Sequence, residues 1–170
     1  ETREFISKYD GVDGFKLYGF ERFIYQFISD NYPEDQIEFD INKIKLVTID
    51  IETKSENGFP DVESASEEIL LVTIQDYTTK EIITWGTKSF NNTHDNVDYR
   101  LCNDEHHLLN SFIQWWIENT PDVVTGWNCE FFDIPYITGR LNRVLGSKLM
   151  KRLSPWGLVT QSDIVVRGRK

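Results

Sequence analysis

Two short stretches of the chain carry side chains that could do chemistry. In LVTIDIET, residues 46–53, an alternating apolar pattern ends with Asp50 and Glu52 two positions apart. Residues so spaced in a strand share a face and lie about 6.6 Å apart, twice the rise of roughly 3.3 Å, so both carboxylates can reach one ion. Without a cation, like charges this close raise each other's pKa, and a hard divalent metal with oxygen ligands resolves the repulsion. An Asp-x-Glu alone equally describes a strand that ends in water. The second stretch is TGWNCEFFDIPYI, residues 125–137, where Asn128 sits in a polar turn after an apolar strand and Asp133 opens a helix. A carboxylate in a first turn is favoured by the helix dipole, and strand ends are where open α/β sheets place ligands. Capping would account for Asp133, and packing for Phe131 and Phe132. Neither accounts for Asn128 together with the acids and the preceding TGW.

These side chains must be positioned by the elements around them. Alternation over residues 44–53 puts Val47, Ile49 and Ile51 on one side of a strand and Leu46, Thr48, Asp50 and Glu52 on the other. EILLVTIQD (68–76) and EIITW (81–85), joined by YTTK, predict a hairpin beside it. The intervening SENGFPDVESASEE, residues 55–68, is acidic and broken by Gly58 and Pro60, and reads as a mobile surface loop without a catalytic part. After a further polar loop, Asn103 or Asp104 caps a helix through Asn119 with an apolar stripe of Leu108, Leu109, Phe112, Ile113, Trp116 and Ile117. His106 and His107 in its first turn point about 100° apart and do not share a metal. PDVVTGW (121–127) predicts a fourth strand. DIPYITGRLNRVLG (133–146) predicts a second helix with Ile137, Leu141, Val144 and Leu145 inward and Pro135 tolerated in the first turn. Upstream, FERFIYQFISDN (20–31) spaces Phe20, Phe23, Ile24, Phe27 and Ile28 as one helix face, stopped by Pro33. Three strands, helix, strand, helix predict an α/β fold with a mixed sheet and packed helices. That order also matches the ribonuclease H-like superfamily, although spacing alone does not separate it from other mixed α/β domains.

Composition bounds the reading further. With 39% hydrophobic residues in a chain of 170, a sizeable core can form. There is no run of eighteen apolar residues, and ETREFISKYD lacks the pattern of a secretory signal, so a cytoplasmic location and no membrane partner are expected. Cys102 and Cys129 have no zinc spacing and read as reduced thiols. The net charge of −10 alone argues against a nucleic-acid partner, but it is unevenly distributed. Residues 1–139 hold 10 Lys+Arg and 27 Asp+Glu, net −17, whereas residues 140–170 hold 8 Lys+Arg and only Asp163, net +7. An acidic body with a basic flank suits an enzyme that holds cations in one place and polyanions in another, and equally suits a solvated helix face followed by a tail.

The residues D-I-E (50–52) and N-C-E-F-F-D (128–133), the latter within TGWNCEFFDIPYI, resemble the first and second exonuclease motifs of family B DNA polymerases. The wider stretch PDVVTGWNCEFFDIPYITGRLNRVLG…MKRLSPWG is similar to the polymerases of T-even-type bacteriophages, and the resemblance covers most of residues 44–170. It implies a proofreading 3′→5′ exonuclease region with a ribonuclease H-like fold (residues 44–170), preceded by the end of a polymerase amino-terminal domain (residues 1–43). By the same resemblance Asp50, Glu52 and Asp133 are catalytic and hold two Mg2+ or Mn2+ ions. Asn128 positions the site or strand, Phe132 contacts the terminal bases, and the substrate is a single-stranded or frayed DNA 3′ end. The implied partners are the rest of a polymerase chain and replisome accessory proteins, and the implied location is the cytoplasm of an infected bacterial host. The family's third motif, a Tyr and an Asp on a later helix, is not found in this sequence. The fold is therefore expected to be incomplete at the C-terminus, residues 1–170 alone to be inactive, and the metals weakly bound or absent. SDIVVRGRK (162–170) resembles the first arm of a hairpin that separates primer from template. Two other readings stay open at this stage: a stand-alone ribonuclease H-like exonuclease acting on RNA or oligonucleotides, and a non-catalytic nucleic-acid-binding module of the same fold.

Overall fold

The computed structural model describes residues 2–14, 23–32, 38–56 and 58–161. The chain divides into two compact units, Glu1–Asp40 and Ile41–Lys170. In the first, α1 (Thr2–Tyr9) and α2 (Phe23–Asn31) are helical, and Ile24, Phe27 and Ile28 of the expected apolar face are exposed. Phe20 and Pro33 lie outside the described residues, as do residues 162–170 and the hairpin arm expected there.

The second unit is a five-stranded mixed sheet in the order β4-β3-β2-β1-β5. β1 (Leu46–Thr53), β2 (Ile69–Asp76) and β3 (Ile82–Gly86) form the expected antiparallel meander. β5 (Val123–Thr125) runs parallel to β1, opposite Leu46–Thr48, and ends two residues earlier than its apolar run. The sheet also contains β4 (Val97–Leu101), parallel to β3, in a stretch expected to be loop. Asp98 and Arg100 break its apolar pattern, and as an edge strand it is paired on one side only, so its half-exposed residues need no buried stripe.

α3 (Glu105–Asn119), α4 (Asp133–Leu145) and the short α5 (Ser147–Met150) complete the unit. Asp104 caps α3, its carboxylate accepting from the His107 amide at 2.8 Å. Val47, Ile49, Ile51, Val72, Ile74 and Trp85 from the sheet are buried in one core with Leu108, Leu109, Phe112, Ile113, Trp116, Tyr136, Ile137 and Leu141 from the two helices. Since alternate strand residues take opposite faces, Thr48, Asp50 and Glu52 belong to the face turned away from this core.

The acidic connection between β1 and β2 is anchored, contrary to its composition. Ala65 is buried, the Ser64 amide donates to Asp61 Oδ2 at 2.8 Å, and Arg143 Nη1 donates to the Ser64 carbonyl at 3.2 Å. Its backbone polar groups are thus met in part by side chains of the loop itself and of α4.

Candidate active site

Asp50 and Glu52 are exposed on β1, with Thr73 and Leu71 as their register partners on β2. The ladder slips between Glu52 and Thr53, an irregularity of the kind that ends pairing and re-aims side chains beside active sites.

The third acid is delivered by the turn after β5. Beyond Thr48, β1 has lost its parallel neighbour, and its next backbone groups on that edge are met by the following segment. Gly126 lies so close to β1 that a Cβ there would run into the Ile49 carbonyl oxygen. Asn128 then adopts a left-handed conformation, φ 57°, which Asn tolerates better than most residues. Its carbonyl accepts from the Phe131 and Phe132 amides, both at 3.0 Å, and the chain turns into α4. Asp133, the first residue of that helix, is only 3% exposed, and its Oδ1 accepts from the Ile51 amide at 3.0 Å. A buried carboxylate therefore replaces the missing strand and is seated on β1 between Asp50 and Glu52. Burial raises the Asp133 pKa, the hydrogen bonds from the Ile51 and Asp133 amides oppose that shift, and the charge of Asp50 adds to it.

Of the other expected site residues, Asn128 acts through its backbone as the turn residue, and its side chain is exposed. Phe132 is half-buried, its ring stacked on Tyr136 at 5.4 Å and tilted against Phe59 at 5.1 Å. Phe59 is 83% exposed and Trp127 93% exposed. Phe59 escaped the sequence reading, whereas Trp127 entered it only as part of the TGW before the turn. Phe59 is the one large apolar residue of SENGFPDVESASEE, and an aromatic in so polar a stretch was a signal that could have singled it out. Arg140 is also placed differently from expectation. It counted toward the basic flank, yet it is buried in an ion pair with Glu105. Lys148, Lys151 and Arg152 of that flank are exposed, and Arg167, Arg169 and Lys170 lie outside the described residues.

Three carboxylates offer only oxygen donors, the set that suits a hard divalent cation. Among the described residues no three His, Cys, Asp or Glu side chains are grouped so as to hold a metal ion. Asp50 and Glu52 are therefore the exposed pair that could receive one, and Asp133 stands behind them with one oxygen already engaged by Ile51.

A meander continued by a parallel strand and backed by helices is consistent with a ribonuclease H-like fold. The family model for the exonuclease domain of DNA polymerase family B matches residues 22–169, and the chain belongs to that family. The DNA-directed DNA polymerase of Escherichia phage RB69 is 27% identical over 180 residues, which cover 91% of this chain and 20% of that protein. The DNA-directed DNA polymerase of Enterobacteria phage T4 is 28% identical over 184 residues, covering 94% of this chain and 20% of that protein. A DNA polymerase of Thermococcus litoralis is 30% identical over 111 residues, or 64% of this chain. The chain thus spans about a fifth of the length of its phage relatives. No helix among the described residues is long and apolar enough to cross a membrane.

Proposed function

We propose that this chain is the proofreading 3′→5′ exonuclease region of a DNA polymerase, hydrolysing the terminal phosphodiester of a single-stranded or frayed DNA 3′ end. Residues 1–43 would close an amino-terminal domain and residues 44–170 would carry the exonuclease site. The observation that carries the reading is the hydrogen bond from the Ile51 amide to Asp133, which joins both family motifs at one strand end.

Asp50, Glu52 and Asp133, which are not grouped for a metal as they stand, would have to draw together to hold two Mg2+ or Mn2+ ions, which when bound would supply charge neutralisation and activation for an in-line displacement at phosphorus. The chain's own residues would do the rest. Asp50 and Glu52 present their oxygens from a rigid strand, and Asp133 is fixed by Ile51 and by its place in the first turn of α4. Asn128 holds the turn that aims α4 at β1. Phe132, backed by Tyr136 and flanked by exposed Phe59, offers an aromatic surface on which bases could stack whatever their identity. A mismatched end has already lost the pairing energy that a matched end must give up to reach such a site.

The test uses the full-length chain with labelled primer–templates, in excess Mg2+ or Mn2+ and without nucleotides. Mismatched ends should be trimmed faster than matched ones, and Asp50→Ala should lower excision by about a hundred- to a thousandfold. Equal rates on both ends, or excision that survives Asp50→Ala, would defeat the reading.

A further inference from the structure

We infer that Tyr136 and Arg140 are positioning residues for the carboxylate site, stapling the segment that follows Glu52 to the helix that begins at Asp133. The inference rests on the exonuclease reading above.

Tyr136 and Arg140 lie about one and two turns beyond Asp133 in α4 and, like it, are buried. The Arg140 guanidinium engages Glu105 in a forked pair, Nε to Oε1 at 2.8 Å and Nη2 to Oε2. Its Nη1 donates to the carbonyls of Ala65 and Ser66, both at 3.0 Å. Glu105 Oε1 also accepts from the amide of Ile69, the first residue of β2, at 2.8 Å. The Tyr136 hydroxyl donates to the Glu67 carbonyl at 2.8 Å and accepts from the Glu67 amide at 3.1 Å. Residues 65, 66, 67 and 69 are therefore held directly by α4 or through its ion-paired glutamate. The fit is close, since a Cβ on Gly139 would come within 2.9 Å of the Ala65 Cβ.

These contacts close a ring through the site. From Asp133 the path runs one turn along α4 to Tyr136, across to Glu67 and on to Glu68. The Glu68 carbonyl accepts from the Lys54 amide at 2.8 Å. Lys54 leads back through Thr53 and Glu52 to Ile51, whose amide donates to Asp133. Glu52 and Asp133 thus lie on one closed circuit, and the irregular register after Glu52 is the part of it that the strand ladder constrains least. Opening the ring at Tyr136, or freeing at Arg140 the Ala65 and Ser66 carbonyls beside it, would let Glu52 and Asp133 drift apart while leaving Asp50 in its strand.

A residue needed only for stability and one that sets ligand geometry predict different results. In the full-length chain, Tyr136→Phe keeps the buried ring and its stacking on Phe132 but removes the hydroxyl, and Arg140→Lys keeps the charge but not the fork. Mn2+ binding is read directly by electron paramagnetic resonance, excision is followed against Mn2+ concentration, and DNA synthesis is measured on the same samples. With synthesis unchanged, each variant should bind Mn2+ roughly ten- to a hundredfold more weakly and need correspondingly more for half-maximal excision. Should Arg140→Lys fail to fold, Tyr136→Phe decides alone. Wild-type Mn2+ affinity and excision in folded Tyr136→Phe would overturn the inference, even if its melting temperature fell. Asp50→Ala is the control: if it leaves Mn2+ binding and excision intact, the exonuclease reading fails and the inference falls with it. If it abolishes both while the positioning variants behave as wild type, only the inference falls.

Discussion

Two polar connections leave the same sheet and are held in opposite ways. Residues 54–68 join β1 to β2, and their backbone is gripped by Tyr136, Arg140 and Arg143, 69 to 79 positions away in sequence. Residues 87–96 join β3 to β4 and are tied down locally. Asn92 Nδ2 donates to the Val97 carbonyl at 2.6 Å, Asn92 Oδ1 accepts from the His94 amide at 2.9 Å, and the Tyr99 hydroxyl donates to the Lys88 carbonyl. Both segments are rich in the polar and turn-forming residues that mark a surface loop. The difference teaches that a connection's rigidity is encoded partly in the element that receives it. A buried Arg on an apolar helix stripe is a better sign of an anchored loop than anything within the loop.

The comparison is broken most severely at Arg140. Arg140→Ala leaves Glu105 buried without its partner, and urea unfolding should show a loss of about 3–5 kcal/mol. Replacing the pair together, Arg140→Met with Glu105→Met, should recover part of that loss, because two apolar side chains leave no orphaned charge. Tyr136→Phe removes one hydroxyl from two hydrogen bonds and leaves the Glu67 amide and carbonyl without that partner, so the same measurement should show a loss of about 1–3 kcal/mol. The corresponding change at the second connection is Tyr99→Phe, which removes one bond near the surface. Its cost should stay near 0.5 kcal/mol, and protease cleavage within 87–96 should increase more than cleavage within 54–68. A loss at Tyr99 as large as that at Tyr136 would erase the distinction between the two connections.

The smallest effect concerns Asp133 itself and sharpens what the anchored side contributes. Because its folded-state pKa is raised, Asp133 favours folding when pH lies below its unfolded value, and that contribution is lost as pH rises through the folded value. Asp133→Asn retains a carbonyl acceptor for the Ile51 amide without a charge to desolvate. In metal-free buffer the variant should therefore melt slightly higher than the wild type at neutral pH, and the gap should close as pH falls toward the ordinary aspartate range. A gap that widens on acidification would mean that Asp133 is stabilised as the anion.

Much of this architecture was legible because its signals are local. Alternation marked β1, and the Asp104 cap with its apolar stripe marked α3. The two strand acids stood out because an apolar stretch ended in like charges. β4 escaped because an edge strand needs no buried alternation, so VDYRL differs little from a polar loop. Arg140 was misplaced because net charge counts a guanidinium the same way whether it faces water or a buried glutamate. The constraint on Gly126 comes from β1, 77 positions upstream of it, and no pattern around TGW announces that the Ile49 carbonyl occupies the space a side chain would need. Asp133 could be placed at a helix start, but the Ile51 amide that holds it is specified by the brevity of β5, which is visible only after the sheet is assembled.

That brevity also orders events in time. β1, β2 and β3 can pair as soon as they leave the ribosome, since their contacts are close in sequence. The Ile51 amide waits for a partner 82 positions later, about 4 to 16 s of synthesis at usual elongation rates. During that interval the two strand acids are already displayed without the third. A nascent chain therefore cannot bring Asp133 to β1 until the parallel strand and the helix behind it have docked.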